Sequence, residues 1–253
     1  MTTQGPVALL GGLEHLEGCE SIDRRMMSEV GSSRPNVVVV PAASSRRLMA
    51  ATAVLARNYW RRLGASVTVG VPGDGFENRL SAAVDGADLI VLTGGHPNKL
   101  FARLGASPLL DQMIRRWEAG AGIIGSSAGA MCLFEHRLNL YPPNPLKRIA
   151  GLGVLNGFTA APHFDRFRAE RWAPWVVRNV LRTSIIGLDE GTALVGRNGR
   201  FRVEGRRNVT LVRPGDLQVF PTGSDVPIRF GQASATAEPI PFVRSVPVRA
   251  AAR

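Results

Sequence analysis

Short apolar runs alternate with longer stretches in which apolar residues recur every three or four positions. The runs lie within PVALLGG (6–12), NVVVVPAAS (36–44), SVTVGVP (66–72), ADLIVLTGG (87–95) and AGIIGSS (121–127). Each is rich in branched residues and stops at Gly, Pro or Ser, which predicts a buried strand. Between them, SRRLMAATAVLARNYWRRLG (45–64), NRLSAAVDG (78–86) and SPLLDQMIRRWEAG (107–120) predict helices. In the first helix Leu48, Ala51, Leu55, Tyr59 and Leu63 define the expected buried face. Strands apolar on both faces and separated by helices predict a mostly parallel sheet covered on both sides, a three-layer α/β/α sandwich.

From residue 183 the period falls to two. TSIIGLDEGTALVGRNGRFRVEGRRNVTLVR predicts short strands with a tight turn at Asn198-Gly199, a β-rich C-terminal part. Residues 214–253 hold six of the 17 prolines and no helical pattern. The expected organisation is one domain over 1–213 and a Pro-rich extension over 214–253, irregular or partly disordered.

Composition narrows the function classes. No apolar run approaches the ~20 residues that span a bilayer, and the start, MTTQGPVALLGG, lacks the basic region of a signal peptide. The expected location is cytoplasmic, with no membrane partner. Cys19 and Cys132 are the only cysteines, which gives neither a disulfide framework nor zinc spacing. No metal or cofactor is expected. The formal charge is +11, and residues 197–253 supply +6 of it, ten Arg against four acids. Without a basic run interleaved with aromatics, no nucleic-acid partner is expected. The charge suits solubility or an acidic substrate.

In a covered parallel sheet, sites lie at the carboxyl ends of strands. Gly11-Gly12, Ser44-Ser45, Gly94-Gly95 and Ser126-Ser127 all fall there. Gly125-Ser126-Ser127-Ala128-Gly129 fits G-x-S-x-G, with a predicted strand before it and a helical SAGAMCLF after it. That is the setting of a nucleophile elbow, and the pattern assigns Ser127 rather than Ser126. A serine needs a base. His163, in APHFDRF, and His96, after Gly-Gly, both stand at segment ends. The base needs an orienting group, and GLDEGTAL (187–194) offers Asp189 and Glu190 in an otherwise apolar strand.

Together these pieces resemble the serine peptidases that include cyanophycinase and aspartyl dipeptidase. The resemblance rests on GGLE (11–14), VVPAAS (39–44), LTGGHPNKL (92–100), GSSAGAM (125–131), GLGVLNG (151–157) followed by PHF (162–164), and GLDEGTALV (187–195). It implies a class I glutamine-amidotransferase-like, flavodoxin-like fold. It also implies an acyl-enzyme mechanism, with Ser127 as nucleophile, His163 as base and the backbone N–H groups of Gly95 and Ala128 as oxyanion hole. The dipeptidase branch uses an Asp soon after the nucleophile, but residues 128–150 hold no Asp, and their only acid is Glu135. The cyanophycinase branch uses an acid in the DEGTAL-like strand, which matches Glu190. The implied substrate is a small acidic peptide cut at an aspartyl or β-aspartyl residue, bound by His96, Asn98, Arg166, Arg168 and Arg171. The chain departs from the cyanophycinase pattern at His96-Pro97 and at Pro162, both beside the expected substrate. An amidohydrolase or esterase on the same machinery, and a silent binding protein of the same fold, are the competing readings. A homodimer is allowed.

Overall fold

The computed structural model describes residues 4–231 apart from 74, 76, 143 and 144. Its spine is a parallel array of β1 (Val7–Leu10), β2 (Asn36–Val40), β3 (Ser66–Val69), β4 (Leu89–Leu92) and β5 (Gly122–Ser126). They lie in the order β1-β5-β4-β2-β3. Two short strands, β6 (His136–Leu138) and β7 (Arg148–Ala150), pair only with each other. After β8 (Phe158–Pro162) and β9 (Ser184–Leu188), the chain forms β10 (Thr192–Arg197) and β11 (Arg200–Gly205). It ends in β12 (Asn208–Arg213), β13 (Asp216–Pro221) and β14 (Asp225–Val226). β10, β11 and β14 extend the parallel array antiparallel beside β1, which makes eight strands. A second sheet of four runs β13-β12-β9-β8.

The helices that accompany the parallel strands are α1 (Glu20–Glu29), α2 (Arg46–Arg62), α3 (Glu77–Asp85), α4 (Pro97–Leu104), α5 (Pro108–Glu118) and α6 (Ala128–Leu133), and short helical turns over 169–181 precede β9. Successive strand side chains point to opposite faces, and the core divides accordingly. Leu9, Val38, Val40, Ile90, Leu92 and Ile123 pack with residues of α3, α4, α5 and α6. Ala8, Leu10, Val37, Val39, Leu89, Val91 and Ile124 pack with residues of α1 and α2. The three layers are therefore written into alternate positions of the same strands. None of the helices of the described residues is long and apolar enough to cross a membrane.

Three expectations need correction. The buried side of α2 is Ala56, Tyr59 and Trp60, with Leu63 just beyond its end, while Leu48 is 61 % exposed and Ala51 and Leu55 also face outward. The first turns of α2 hold too little of that apolar stripe against the sheet, so the face is set by its second half. β3 alternates between exposed and half-buried positions because it is the sheet edge. Residues 216–226 form β13 and β14 rather than irregular chain, since edge strands tolerate Pro221 at a strand end. The rest of the expected extension, 232–253, lies outside the described residues.

Candidate active site

The sequence places four glycine- or serine-rich exits at strand ends, and the fold gathers them. Three consecutive carbonyls leaving β1 do most of the gathering. Leu10 O accepts from the Ser127 N–H (2.9 Å), Gly11 O from the His163 N–H (3.0 Å) and Gly12 O from the Gly191 N–H (3.3 Å). The backbones of the elbow, of the residue after β8 and of the turn after β9 are thus tied to one short segment.

Ser127 stands between β5 and α6 with φ 48° and ψ −108°, a region that side chains avoid. The glycine two residues on is required by packing: a Cβ on Gly129 would come within 2.2 Å of Leu92 O. Ser127 Oγ lies 2.9 Å from His163 Nε2, and His163 Nδ1 lies 2.8 Å from Glu190 Oε1. His163 is also held at positive φ, 52°. Its ring presses against the chain at Gly12, where a Cβ would meet Cε1 at 2.4 Å. Phe167 meets the ring edge-on at 6.2 Å.

Asp189 and Glu190 do not lie in a strand. They occupy the tight turn between β9 and β10, which joins the two sheets. Their side chains diverge there. Asp189 is buried and accepts from the Asn208 N–H at 3.2 Å; burial pushes its carboxyl above the usual value, against the opposing bond from Asn208. Glu190 turns to His163 and also accepts from Arg166 Nη1 at 3.2 Å. Burial pushes Glu190 up, but the bonds from His163 and Arg166 prevail and hold it below the usual carboxylate value. The Glu190 N–H donates to Asp165 Oδ1 (3.1 Å), and Asp165 in turn pairs with Arg207.

The two serines have different surroundings. Ser126 is fully buried, and its hydroxyl donates to Glu14 Oε2 at 2.6 Å. Glu14 Oε1 accepts from the Gly94 N–H at 2.6 Å. One carboxylate therefore braces the strand before the elbow and the Gly-Gly turn after β4. The sequence displays Glu14 only as the end of GGLE; its partners are 80 and 112 residues away. Among the described residues, no hydrogen bond engages the N–H of Gly95 or of Ala128.

His96 caps α4, its Nδ1 accepting from the Asn98 N–H at 3.2 Å, and its ring stacks on Tyr141 at 4.2 Å. Burial, Lys99 and Arg137 hold its proton affinity below the usual histidine value. Asn98 is exposed. Arg166, Arg168 and Arg171 are exposed along the turn after His163, and only Arg166 has an ion-pair partner among the described residues. A hollow of about 1140 Å³ lined by Arg197, Arg200 and Asp225 lies at the other end of β10, away from Glu190.

An α/β sandwich with a serine on the strand-to-helix turn and a histidine against it is the framework of a serine-type hydrolase. Residues 7–204 match peptidase family S51. The chain is 30% identical over 227 residues to cyanophycinase of Synechococcus elongatus, and equally to that of Thermosynechococcus vestitus, across 85% of this chain and 70% of theirs. A crystal structure of a peptidase from an acI-B1 actinobacterium superposes with TM-score 0.78 at 24% identity, over 90% of this chain and 98% of that one. A putative peptidase E of Listeria monocytogenes gives 0.62 at 15% identity, over 80% and 99%. The protein is a serine-type peptidase. It belongs to peptidase family S51.

Proposed function

We propose that this peptidase cleaves small peptides at an aspartyl or β-aspartyl residue through an acyl-enzyme, with Ser127 as nucleophile, His163 as base and Glu190 as the orienting acid. The observation that carries the reading is the unbroken chain Ser127 Oγ–His163 Nε2 and His163 Nδ1–Glu190 at 2.9 and 2.8 Å. Ser127 Oγ attacks the scissile carbonyl carbon, and its proton passes to His163 Nε2. The carbonyl electron pair moves onto oxygen, where the free N–H groups of Gly95 and Ala128 receive the charge. The C–N bond then breaks, and the leaving amine takes the proton from His163. Water repeats the sequence on the ester, with the proton moving first to His163 and then back to Ser127. Glu190 keeps the imidazole proton on Nδ1 and balances the imidazolium.

The acidic preference is supported by the relatives named cyanophycinase and by the arginines beside His163. Arg166 uses one N–H on Glu190 and keeps the others for a substrate carboxylate; Arg168, Arg171, His96 and Asn98 complete the binding set. The test is a panel of Asp-X, β-Asp-X, Glu-X and Ala-X dipeptides with ester controls. Turnover of the first two well above Ala-X, abolished in Ser127→Ala, is expected. Equal rates on Asp-X and Ala-X would overturn the acidic preference, and turnover surviving in Ser127→Ala would overturn the nucleophile.

A further inference from the structure

Among the described residues Arg137 is a cation with no counter-charge. It lies on β6, is 3 % exposed, and its Nε and Nη1 are buried without a hydrogen-bond partner. No carboxylate among the described residues is within ion-pair distance of it. Its guanidinium stands over the Phe101 ring at 5.5 Å, and burial lowers its proton affinity below the usual arginine value. Buried charges are ordinarily paired, because desolvation without a partner is costly. Among the described residues only the Phe101 ring offsets part of that cost.

Its neighbours are the elements that carry the cleft. Phe101 is on α4, the helix that His96 caps directly after Gly95. Cys132 is on α6, about one and a half turns from Ser127, and its thiol reaches Pro97 O at 3.4 Å. β6 leans on β8, the strand that ends at His163, through Thr159 Oγ1 donating to His136 O at 3.2 Å. The charge of Arg137 is felt at His96, whose ring Tyr141 covers. The guanidinium is thus enclosed by the segments that bear Gly95, Ser127 and His163.

We propose that Arg137 is the specificity-determining residue for acidic substrates, receiving the carboxylate of the residue at the cut beside the His96–Tyr141 stack. This deepens the peptidase reading above and rests on its cleft. The exposed Arg168 and Arg171 draw an acidic peptide toward the site, but in screened surroundings they add little to the discrimination between side chains. A carboxylate brought to that guanidinium supplies the counter-charge that no described residue offers. A neutral side chain leaves the buried cation without one, and that asymmetry is what makes buried polar groups selective.

The experiment compares wild type, Arg137→Met and Arg137→Lys. Succinate binding is read by calorimetry, and kcat/KM is measured on Asp-X and Ala-X dipeptides. Labelling by an uncharged fluorophosphonate selects preparations in which the serine site is intact. Wild type is expected to bind succinate at one site. Arg137→Met is expected to lose that binding and to lower the Asp-X over Ala-X preference at least tenfold. Arg137→Lys, with the charge but not the fork, is expected to fall between them, and it carries the test if the methionine variant does not fold. Undiminished succinate affinity or acidic preference in either variant, or no succinate binding by wild type, overturns the inference. A wild type that binds succinate through Arg137 but cleaves no aspartyl peptide would sink the substrate reading and leave the anion site standing.

Discussion

Glu190→Gln separates charge from shape at the centre of the site. The side chain keeps its length, and an amide oxygen in place of Oε1 can still accept from His163 Nδ1 and Arg166. What disappears is the negative charge that faces the imidazolium during attack. With nitrogen and oxygen 2.8 Å apart the charge centres are about 4 Å apart, and at an effective dielectric of about 20 their attraction is ~4 kcal/mol, or ~10³ in rate. If the amide turns its NH2 toward Nδ1 instead, the ring proton moves to Nε2 and the base is lost. A comparable change in another triad costs ~10⁴. Arg166 adds little, because its side chain is 67 % exposed and such pairs are worth ~0–1 kcal/mol. The expected fall in kcat is therefore between 10³ and 10⁴ by these estimates, with the circular dichroism spectrum unchanged. The assay is single-turnover acylation by an ester, alongside fluorophosphonate labelling. A kcat within tenfold of wild type, or a larger loss in Asp189→Asn, would refute the assignment.

Other expectations follow from the same geometry. Ser127→Ala should abolish probe labelling, while Ser126→Ala, which removes only a buried donor to Glu14, should keep most of it; the reverse outcome on a labelling gel means the elbow is misread. Glu14→Gln cannot accept from both Gly94 and Ser126. Losing the charged bond to Gly94, ~1.5–3 kcal/mol, loosens the turn that bears Gly95 and should lower kcat about 10- to 150-fold with little change in the melting temperature; unaltered kcat would make Glu14 purely structural. Asp23 is buried against Tyr59 Oη at 2.5 Å, and burial, with Glu20 and Glu14 nearby, raises its carboxyl to about 7. Its neutral form is favoured in the fold, so its contribution is full below the unfolded value of about 4 and is lost as pH rises through about 7. The melting temperature of Asp23→Asn relative to wild type should therefore rise between pH 4 and 8, and parallel curves would contradict the buried acid.

Strand positions were legible because each apolar run has one partner layer per face: Val38 and Val40 serve one core cluster, Val37 and Val39 the other. Helix α4 was not, since PNKLFARL is only eight residues long and opens with His-Pro after a glycine turn. The buried face of α2 slipped because three- and four-residue spacing fits two overlapping stripes, and only contact with the sheet chooses Ala56 and Trp60. G-x-S-x-G marked the junction between a strand and a helix, and Ser127 stands between β5 and α6. The meeting of Ser127 with His163, and of His163 with Glu190, spans 36 and 27 residues, and no local pattern encodes it. Family resemblance supplied those pairings. Arg137 was invisible for a related reason: in EHRLNL it has the look of a surface arginine, and its isolation appears only after α4 and α6 close over it.

The three carbonyls leaving β1 carry a consequence for how this protein can vary. Successive Cα atoms are 3.8 Å apart whatever side chains they bear. Leu10, Gly11 and Gly12 thus act as a ruler whose divisions set the spacing among the elbow, the histidine and the acidic turn. Those attachments come from segments of two different sheets. Length is therefore the constrained quantity here: a single residue inserted or deleted between Leu10 and Gly12 would shift the elbow's attachment against that of the acidic turn. Insertions in the Asn198-Gly199 hairpin, at the other end of β10, leave the ruler untouched. Drift in sequence and drift in length are thus subject to separate limits, and the stricter one falls on a segment that supplies no reacting group.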